Sequence, residues 1–357
     1  MIFRCRIFCL CLLFASFFCK LQAQDASSIK LFSGSANSEL AQSVAEFLHV
    51  PLSKINIGRF NDGEIKIQIE ESVRNCDVYI VQSTCPTVKS SVNDNIMELY
   101  LTIRAMKRAS AKNVNVIIPY FGYARQDRKT ESRVPISASD IAMLLEFGGA
   151  THIIAVDLHC GQIQGFFHEV PVDNLYASTV FVPYMASKKD LVNPVVVSPD
   201  AGGVERAKKF IEGLNAYGIQ SQIAIIVKQR AGAGVIDKMN LVGNVQDCDV
   251  IIVDDICDTA GTLVQAAKEL KQHGARRVFA CITHPVLSGP ALERISHSDL
   301  AELIVSDTIT MKEGAPENIV QLSVAPLVAE AIRRTNSGDS ISDLFTHSKK
   351  YAVAGIE

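Results

Sequence analysis

Short runs of β-branched and other apolar residues recur along the chain, separated by stretches in which apolar residues follow helical spacing. Such runs are typical of parallel strands that are buried on both faces. Because strands alternate with helices, the pattern predicts parallel sheets covered by helices. The predicted strands span residues 77–81, 114–118, 152–156, 195–197, 223–227, 249–253, 278–282 and 302–305, and residues 65–69 alternate as in a half-buried strand.

The strand runs fall into two sets. The 357 residues, 48% of them hydrophobic, are enough for two domains of ordinary size. Asn174, Pro183 and the charged residues 188–190 interrupt the pattern, so a domain boundary is expected near residues 176–191. The sequence therefore predicts an α/β chain with two doubly wound parallel-sheet domains, an N-terminal one of residues 24–180 and a C-terminal one of residues 181–350. Ligands of such sheets bind beyond the carboxyl ends of the strands.

The first 23 residues differ from the rest of the chain. Arg4 and Arg6 precede an apolar stretch over residues 7–19, and residues 21–23 end in a small residue, which is the layout of a secretory leader. The stretch is too short for a comfortable membrane span, so a permanent anchor is the weaker interpretation. The alternative is a start codon assigned upstream of the true one. The expected leader is residues 1–23.

Charge and cysteine usage narrow the functional classes. A formal net charge of −3, from 35 basic and 38 acidic residues, gives no polyanion-binding surface, so nucleic acid is not an expected partner. The cysteines beyond the leader lack CxxC spacing, which argues against a disulfide framework and a zinc site. We expect these six to be free thiols: Cys76, Cys85, Cys160, Cys248, Cys257 and Cys281.

The strand run 249–253 is followed by two carboxylates and then by a loop of small residues that precedes the helical segment 263–270. Backbone N–H groups at a helix N-terminus bind phosphate, and threonine hydroxyls add donors. Paired carboxylates accept hydrogen bonds from sugar hydroxyls or hold Mg²⁺. An ordinary threonine cap is the alternative, but the combination favours a sugar phosphate site. Its expected residues are Asp254, Asp255, Asp258, Thr259, Ala260, Gly261 and Thr262.

Residues 253–262 resemble the signature of proteins that bind phosphoribosyl diphosphate (PRPP), which phosphoribosyltransferases share with ribose-phosphate diphosphokinases, the PRPP synthetases. Four further segments, 58–64, 119–129, 157–167 and 198–203, resemble the synthetases, and the resemblance runs from about residue 29 to residue 345. It implies two phosphoribosyltransferase-like domains. It also implies a homo-oligomeric, cytoplasmic enzyme in which ribose 5-phosphate attacks the β-phosphorus of ATP, giving PRPP and AMP for nucleotide biosynthesis.

The resemblance also assigns roles to residues outside the sugar phosphate loop. His159 and Asp200 match residues that contact Mg²⁺, although His159 is an unusual ligand for this ion and could instead touch a phosphate or a metal-bound water. Lys228 and Arg230 match the mobile catalytic loop, and Arg230 also faces ribose 5-phosphate. Both cations would stabilise negative charge that develops in the transition state.

The ATP side is expected to use an aromatic ring and polar groups. Phe60 offers a face for adenine, and Asp62 and Glu64 can accept hydrogen bonds from its amine or from ribose hydroxyls. Arg125 and Gln126 can bond to phosphate and to base edges. A polar turn and a solvated charged loop are the corresponding structural alternatives.

The resemblance further implies a phosphate or ADP effector at a subunit contact that includes Ser72, Arg74 and Arg133. Two other functions stay open at this stage. A phosphoribosyltransferase would not need the N-terminal domain, and a non-catalytic partner of PRPP synthetase would be expected to lose site groups that this chain keeps. Cytosol suits the chemistry, while the leader is compatible with an organelle reached through the secretory route.

Overall fold

The computed structural model describes residues 29–229 and 238–345. The expected leader of residues 1–23 and Arg230 lie outside the described residues, and so does the side chain of Lys228.

The first sheet has five parallel strands in the order β1-β4-β5-β6-β7. Two further strands, β2 and β3, form a separate antiparallel hairpin. The strands are β1 (Lys30–Ser33), β2 (Ile55–Arg59), β3 (Ile65–Ile69), β4 (Asp77–Val81), β5 (Asn113–Ile118), β6 (His152–Val156) and β7 (Val172–Leu175). The helices of this part are α1 (Ser38–Leu48), α2 (Val92–Arg108) and α3 (Ser137–Gly148), with a 3₁₀ turn at Gly161–Phe166.

The second sheet has seven strands in the order β10-β9-β8-β11-β12-β13-β14, and only the β9–β10 pair is antiparallel. The strands are β8 (Val195–Ser198), β9 (Gln222–Gln229), β10 (Lys238–Val242), β11 (Asp249–Cys257), β12 (Arg277–Pro285), β13 (Glu302–Ser306) and β14 (Ile319–Leu322). The helices are α4 (Ser178–Ser187), α5 (Val204–Ala216), α6 (Gly261–Gln272), α7 (Ala291–Ser296) and α8 (Ala325–Ser337), followed by a 3₁₀ turn at Ser342–Phe345.

The predicted α/β fold with two parallel sheets is confirmed, and each predicted strand is present. Three strands end two or more residues later than predicted: β9 at Gln229, β12 at Pro285 and β11 at Cys257. Asp254 and Asp255 therefore lie within β11 and not after its end. Pairing with β12 explains the extension, because the parallel register continues from Asp249 to Cys257. The antiparallel edge strand β10 and the hairpin partner β2 were not predicted, and neither were the short strands β1, β7 and β14.

One hydrophobic cluster connects the two sheets. It joins Tyr79 and Ile117 of the first sheet with Ile251 and Phe279 of the second, and it includes buried residues of α1, α4, α5 and α8. The expected domain boundary at residues 176–191 therefore falls on α4, a helix that is buried in this shared cluster. We call this hydrophobic cluster the shared core.

Two simpler expectations concern cysteines and membranes. Five of the cysteines beyond the leader, Cys85, Cys160, Cys248, Cys257 and Cys281, are free, as expected. Among the described residues, no helix is both long enough and apolar enough to cross a membrane.

The amino end of β11 holds a buried ion cluster. Asp249 is fully buried; its Oδ1 accepts from Arg276 Nε at 2.9 Å, and its Oδ2 accepts from Arg277 Nη2 at 2.8 Å and from the Val192 N–H at 2.9 Å. Burial alone would raise the pKa of Asp249, but these hydrogen bonds outweigh it and lower the pKa. A carboxylate with a lowered pKa stabilises the fold above its unfolded pKa, and that stabilisation is lost as pH falls.

Asp249→Asn is expected to lower the free energy of unfolding at pH 7 by about 3 kcal/mol, because it leaves two arginines without their buried counter-charge. The difference between wild type and variant should begin to shrink below about pH 4, where the carboxylate of the unfolded chain protonates, and should vanish only below the lowered pKa of the folded state. Urea unfolding at pH 7 and at a pH below about 4 measures the effect. Asp190→Asn is the control: Asp190 also pairs with Arg277, at 2.7 Å, but is 69% exposed, so its loss should cost less than about 1 kcal/mol. Equal losses in both variants would contradict the interpretation.

Candidate active site

The carboxyl ends of the two sheets meet at one cleft. Arg125 of the N-terminal half contacts Asp258 of the C-terminal half, with 2.8 Å between Nη1 and Oδ2. His159, which follows β6, reaches Asp255 of β11, with 2.7 Å between Nδ1 and Oδ2. The structure therefore brings together residues that the sequence assigned separately to ATP, metal and sugar phosphate.

Asp254 and Asp255 share a half-buried cation. Arg206, in the first turn of α5, places Nη1 3.4 Å from Asp254 Oδ1 and 3.4 Å from Asp255 Oδ1. The Asp255 N–H donates to Asp254 Oδ1 at 3.0 Å. The side chain of Asp255 is 5% exposed and that of Asp254 is 27% exposed, so Asp254 is the one more open to the cleft.

The environment separates the two carboxylates electrostatically. Burial and the neighbouring charge of Asp255 raise the pKa of Asp254. Burial would also raise the pKa of Asp255, but the hydrogen bond from His159 and the charge of Arg206 lower it. The same hydrogen bond raises the pKa of His159. Asp255 is therefore the carboxylate that stays ionised, with His159 as its proton-bearing partner.

The small-residue loop has the form of an anion site. Helix α6 begins at Gly261 after Ala260, which has a left-handed backbone with φ 59°, and among the described residues no side chain caps this helix. Its first-turn N–H groups are thus available to an anion. Ser288 holds the loop, because its N–H donates to the Asp258 carbonyl at 2.9 Å and its hydroxyl donates to Asp258 Oδ1. Arg294 Nη1 donates to the Thr259 carbonyl at 3.0 Å.

The expected metal residues provide few protein donors. With Nδ1 of His159 engaged by Asp255, Nε2 is the remaining ring nitrogen of His159. Asp200 Oδ1 accepts from the Gly203 N–H at 2.9 Å, which turns the loop after β8. The described residues contain no group of three His, Cys, Asp or Glu side chains arranged to hold a metal. Mg²⁺ is commonly held by one or two carboxylates together with waters and substrate phosphates, and Asp200 beside the acidic pair fits that mode.

The expected adenine residues lie on the tip of the β2–β3 hairpin. Phe60 is 54% exposed. The Phe60 N–H donates to the Glu64 carbonyl at 2.8 Å, and the Glu64 N–H donates to Asp62 Oδ1 at 3.0 Å. Within the described residues, no hydrogen bond or ion pair links this tip to Arg125 or Gln126. We call Asp254, Asp255 and Asp258 the acidic cluster. Of the expected ATP residues, only Arg125 contacts it, through Asp258, whereas the Gln126 side chain accepts a hydrogen bond from the Ser137 hydroxyl.

Of the expected catalytic residues Lys228 and Arg230, the structure describes only the backbone of Lys228. The backbone of Lys228 lies in β9, where it pairs with Met239 of β10. Strand β9 is hydrogen-bonded to β8, whose end leads to Asp200. The Lys228 side chain and Arg230 lie outside the described residues, so their roles stay predictions.

Sequence reasoning missed two residues near the acidic pair, of which one is half-buried and one is buried. Arg206 is the first, and its only signal was a basic residue in the first turn of a helix, where acidic residues are favoured. His284 is the second. Its Nε2 lies 3.1 Å from the Asp157 carbonyl and its Nδ1 lies 2.9 Å from Thr308 Oγ1, and burial lowers its pKa. Since a carbonyl only accepts, neutral His284 carries its proton on Nε2 and ties the two halves together.

Comparison with known proteins identifies the family. The N-terminal domain of ribose phosphate pyrophosphokinase matches residues 29–149, and the phosphoribosyl synthetase-associated domain matches residues 233–346. The ribose-phosphate pyrophosphokinase of Wolinella succinogenes is 51% identical over 316 residues, which cover 88% of this chain and 98% of that protein. The chain belongs to the ribose-phosphate pyrophosphokinase family.

Further members agree in sequence and in fold. The ribose-phosphate pyrophosphokinase of Bacillus subtilis is 50% identical over 320 residues, covering 89% of this chain and 98% of that protein. The crystal structure of phosphoribosylpyrophosphate synthetase from Mycobacterium smegmatis superposes with a TM-score of 0.80 at 38% identity, covering 87% of this chain and 99% of that one. The family and the fold class predicted from the motifs are thus confirmed.

Proposed function

We propose that this ribose-phosphate pyrophosphokinase transfers the β,γ-diphosphoryl group of ATP to the C1 hydroxyl of ribose 5-phosphate, giving PRPP and AMP for nucleotide biosynthesis. The observation that supports it best is the contact of Arg125 with Asp258, because it joins the expected nucleotide side to the sugar phosphate loop. A phosphoribosyltransferase is the weaker alternative, since Arg125 and His159 of the N-terminal half reach Asp258 and Asp255. A non-catalytic family partner is also weaker, because the chain keeps the expected site residues, among them His159, Asp200, Asp254 and Asp258.

The cleft divides into a sugar side and a nucleotide side. The first-turn N–H groups at Gly261 and Thr262, with the hydroxyl of Thr259, would bind the 5-phosphate. Asp254 would accept hydrogen bonds from ring hydroxyls. Arg125 would bind ATP phosphates once they compete with Asp258 for its guanidinium.

The reaction needs compensation of growing negative charge. The C1 hydroxyl gives its proton to water and its oxygen bonds to the β-phosphorus, while the bond from that phosphorus to the α,β-bridging oxygen breaks and releases AMP. Mg²⁺, held near Asp200 and His159, would offset phosphate charge when bound. We assign Lys228 and Arg230 to the bridging and β-phosphate oxygens, where closure of their segment would exclude water.

The product nucleotide tests the function. The purified chain from about residue 25 onward is incubated with ATP, Mg²⁺ and ribose 5-phosphate, and the nucleotides are separated by chromatography. AMP formed in equal amount to PRPP supports diphosphoryl transfer. ADP would indicate a simple kinase, and no nucleotide product would leave the non-catalytic partner as the better interpretation.

We also propose a homo-oligomer, supported by the exposed hairpin tip. Phe60 stands in solvent, and within one chain the tip makes no described polar contact with Arg125, so adenine contacts from Phe60, Asp62 and Glu64 would be completed by a second copy. Light scattering on the purified protein measures the mass. A strictly monomeric enzyme with full activity would refute the proposal.

We also propose that phosphate or ADP binds as an effector near Ser72, Arg74 and Arg133. Ser72, Arg74 and Arg133 are exposed, and Arg74 Nη1 donates to Ser110 Oγ at 3.3 Å. We expect inorganic phosphate to raise the rate of the wild type by at least about fivefold, in the usual range of allosteric coupling. Arg74→Ala should lose this response and keep its phosphate-free rate. Initial rates over a phosphate titration decide it, and a flat titration of the wild type would exclude the effector.

The cytosol is the location that we propose, because ATP and ribose 5-phosphate are the expected substrates. An organelle reached through the secretory route is the alternative that the leader leaves open. Sequencing the N-terminus of protein recovered from cells would separate them, since a secretory leader is removed.

A further inference from the structure

Arg206 is the half-buried cation beside Asp254 and Asp255. It is the third residue of α5. Its side chain is 18% exposed, and Nη1 lies 3.4 Å from one oxygen of Asp254 and 3.4 Å from one oxygen of Asp255. One nitrogen therefore lies between two neighbouring carboxylates.

This is an unfavourable place for a positive charge. The N-terminal turn of a helix carries a partial positive charge, which repels cations, and burial removes the water that would solvate the guanidinium. Burial would lower the pKa of Arg206, yet the pKa is raised, because the carboxylates of Asp255, Asp157, Asp254 and Asp200 outweigh burial. The carboxylates thus hold the arginine where the helix alone would not.

The loop after β8 lets the arginine approach. A Cβ added at Gly203 would lie 2.8 Å from Ser198 Oγ and 3.7 Å from both Arg206 Nη1 and Asp200 Oδ1. A side chain at Gly203 would therefore collide with the turn. The glycine keeps the start of α5 close to the strand ends, and this closeness brings the guanidinium to the acidic pair.

The two carboxylates are not equivalent. Asp255 uses one oxygen for His159 and the other for Arg206. Asp254 receives Arg206 and the Asp255 N–H on the same oxygen, Oδ1, and its side chain is the more exposed. Both oxygens of Asp255 are therefore occupied by protein groups, whereas Asp254 faces the cleft.

We propose that Arg206 is a positioning residue for ribose 5-phosphate: its guanidinium holds Asp254 Oδ1 against Asp255 and so fixes the Asp254 carboxylate for hydrogen bonds from the sugar hydroxyls. The inference rests on the proposed function. Without the guanidinium, Asp254 Oδ1 keeps only the Asp255 N–H of these two donors, and the Asp254 carboxyl group loses its fixed orientation. A group that acts through orientation of a sugar ligand changes the KM of the sugar more than the KM of ATP.

Arg206→Met tests the proposal, because methionine keeps an unbranched stem and removes the charge. We expect the KM for ribose 5-phosphate to rise at least about tenfold while the KM for ATP changes less than about twofold, both measured at saturating Mg²⁺. Arg206→Lys retains the charge and should recover part of the loss. Arg333→Met is the control, since Arg333 lies exposed on α8 and pairs with Glu330, and neither KM should change.

The outcomes separate the possible failures. If the wild type forms no AMP, the proposed function fails. If the wild type is active and Arg206→Met keeps its KM for ribose 5-phosphate, or loses affinity for both substrates equally, the positioning role fails. If Arg206→Met does not fold by circular dichroism, Arg206→Lys decides, because a folded lysine variant must still show the selective rise. Millimolar guanidinium ion added to Arg206→Ala should lower the raised KM, which a purely structural role would not predict.

Discussion

Lys228→Ala is expected to lower kcat by about a hundredfold to a thousandfold while the KM for ATP changes little. A cation that meets the leaving bridging oxygen acts mainly in the transition state, and loss of one such group commonly has an effect of this size. The backbone of Lys228 lies on β9, beside the strand that leads to Asp200, and this position supports the assignment. Single-turnover rates of AMP formation at saturating substrates measure the change.

The control for this prediction is Lys268→Ala. Lys268 lies exposed on α6, and its loss removes the same charge from the surface of the same half. Its kcat should equal that of the wild type. An unchanged kcat in Lys228→Ala would remove this residue from catalysis, and an equal fall in both variants would point to an effect of net charge.

Asp258→Ala is expected to raise the KM for ribose 5-phosphate about tenfold to a hundredfold. Asp258 accepts from the Ser288 hydroxyl and from Arg125, and its carbonyl accepts from the Ser288 N–H. Without the carboxylate, the loop that presents its N–H groups to the phosphate loses a charged hydrogen bond, worth about 1.5 to 3 kcal/mol. The KM for ATP should stay the same or fall, because Arg125 loses a competing partner.

Asp299→Ala serves as the comparison, since Asp299 is an exposed carboxylate of the same half. Both KM values should match those of the wild type there. Steady-state rates with each substrate varied separately distinguish the variants. A selective loss of ATP affinity in Asp258→Ala would contradict the division of the cleft into a sugar side and a nucleotide side.

Local patterns were sufficient for the central strands and for the loop of small residues that precedes α6. The run 249–253 is buried on both faces, and burial of that kind leaves a continuous apolar signal. Edge strands such as β10 and β14 pack on fewer neighbours, so their sequences carry no comparable signal. The strand end after Val253 was misplaced because the hydrogen bonds to β12 continue through two acidic residues, which local propensity does not favour in a strand.

Contacts between distant parts of the chain could not be predicted in the same way. Arg206 reads as a solvated residue of a helix, and only the folded chain shows that four carboxylates surround it. His284 similarly shows its role only when Asp157 of the other half is adjacent. The motif resemblance supplied the roles of His159 and Asp200, but not the hydrogen bond that commits His159 Nδ1 to Asp255.

The shared core limits how this enzyme can open. Residues of both sheets pack into a single apolar cluster, with α4 buried inside it. A clamshell rotation of one half against the other would have to expose that cluster to water, at roughly 25 cal/mol for each Å². Substrates are therefore expected to enter and leave through movements of short surface segments while the two sheets keep their relative position. The two halves should also unfold in one thermal transition.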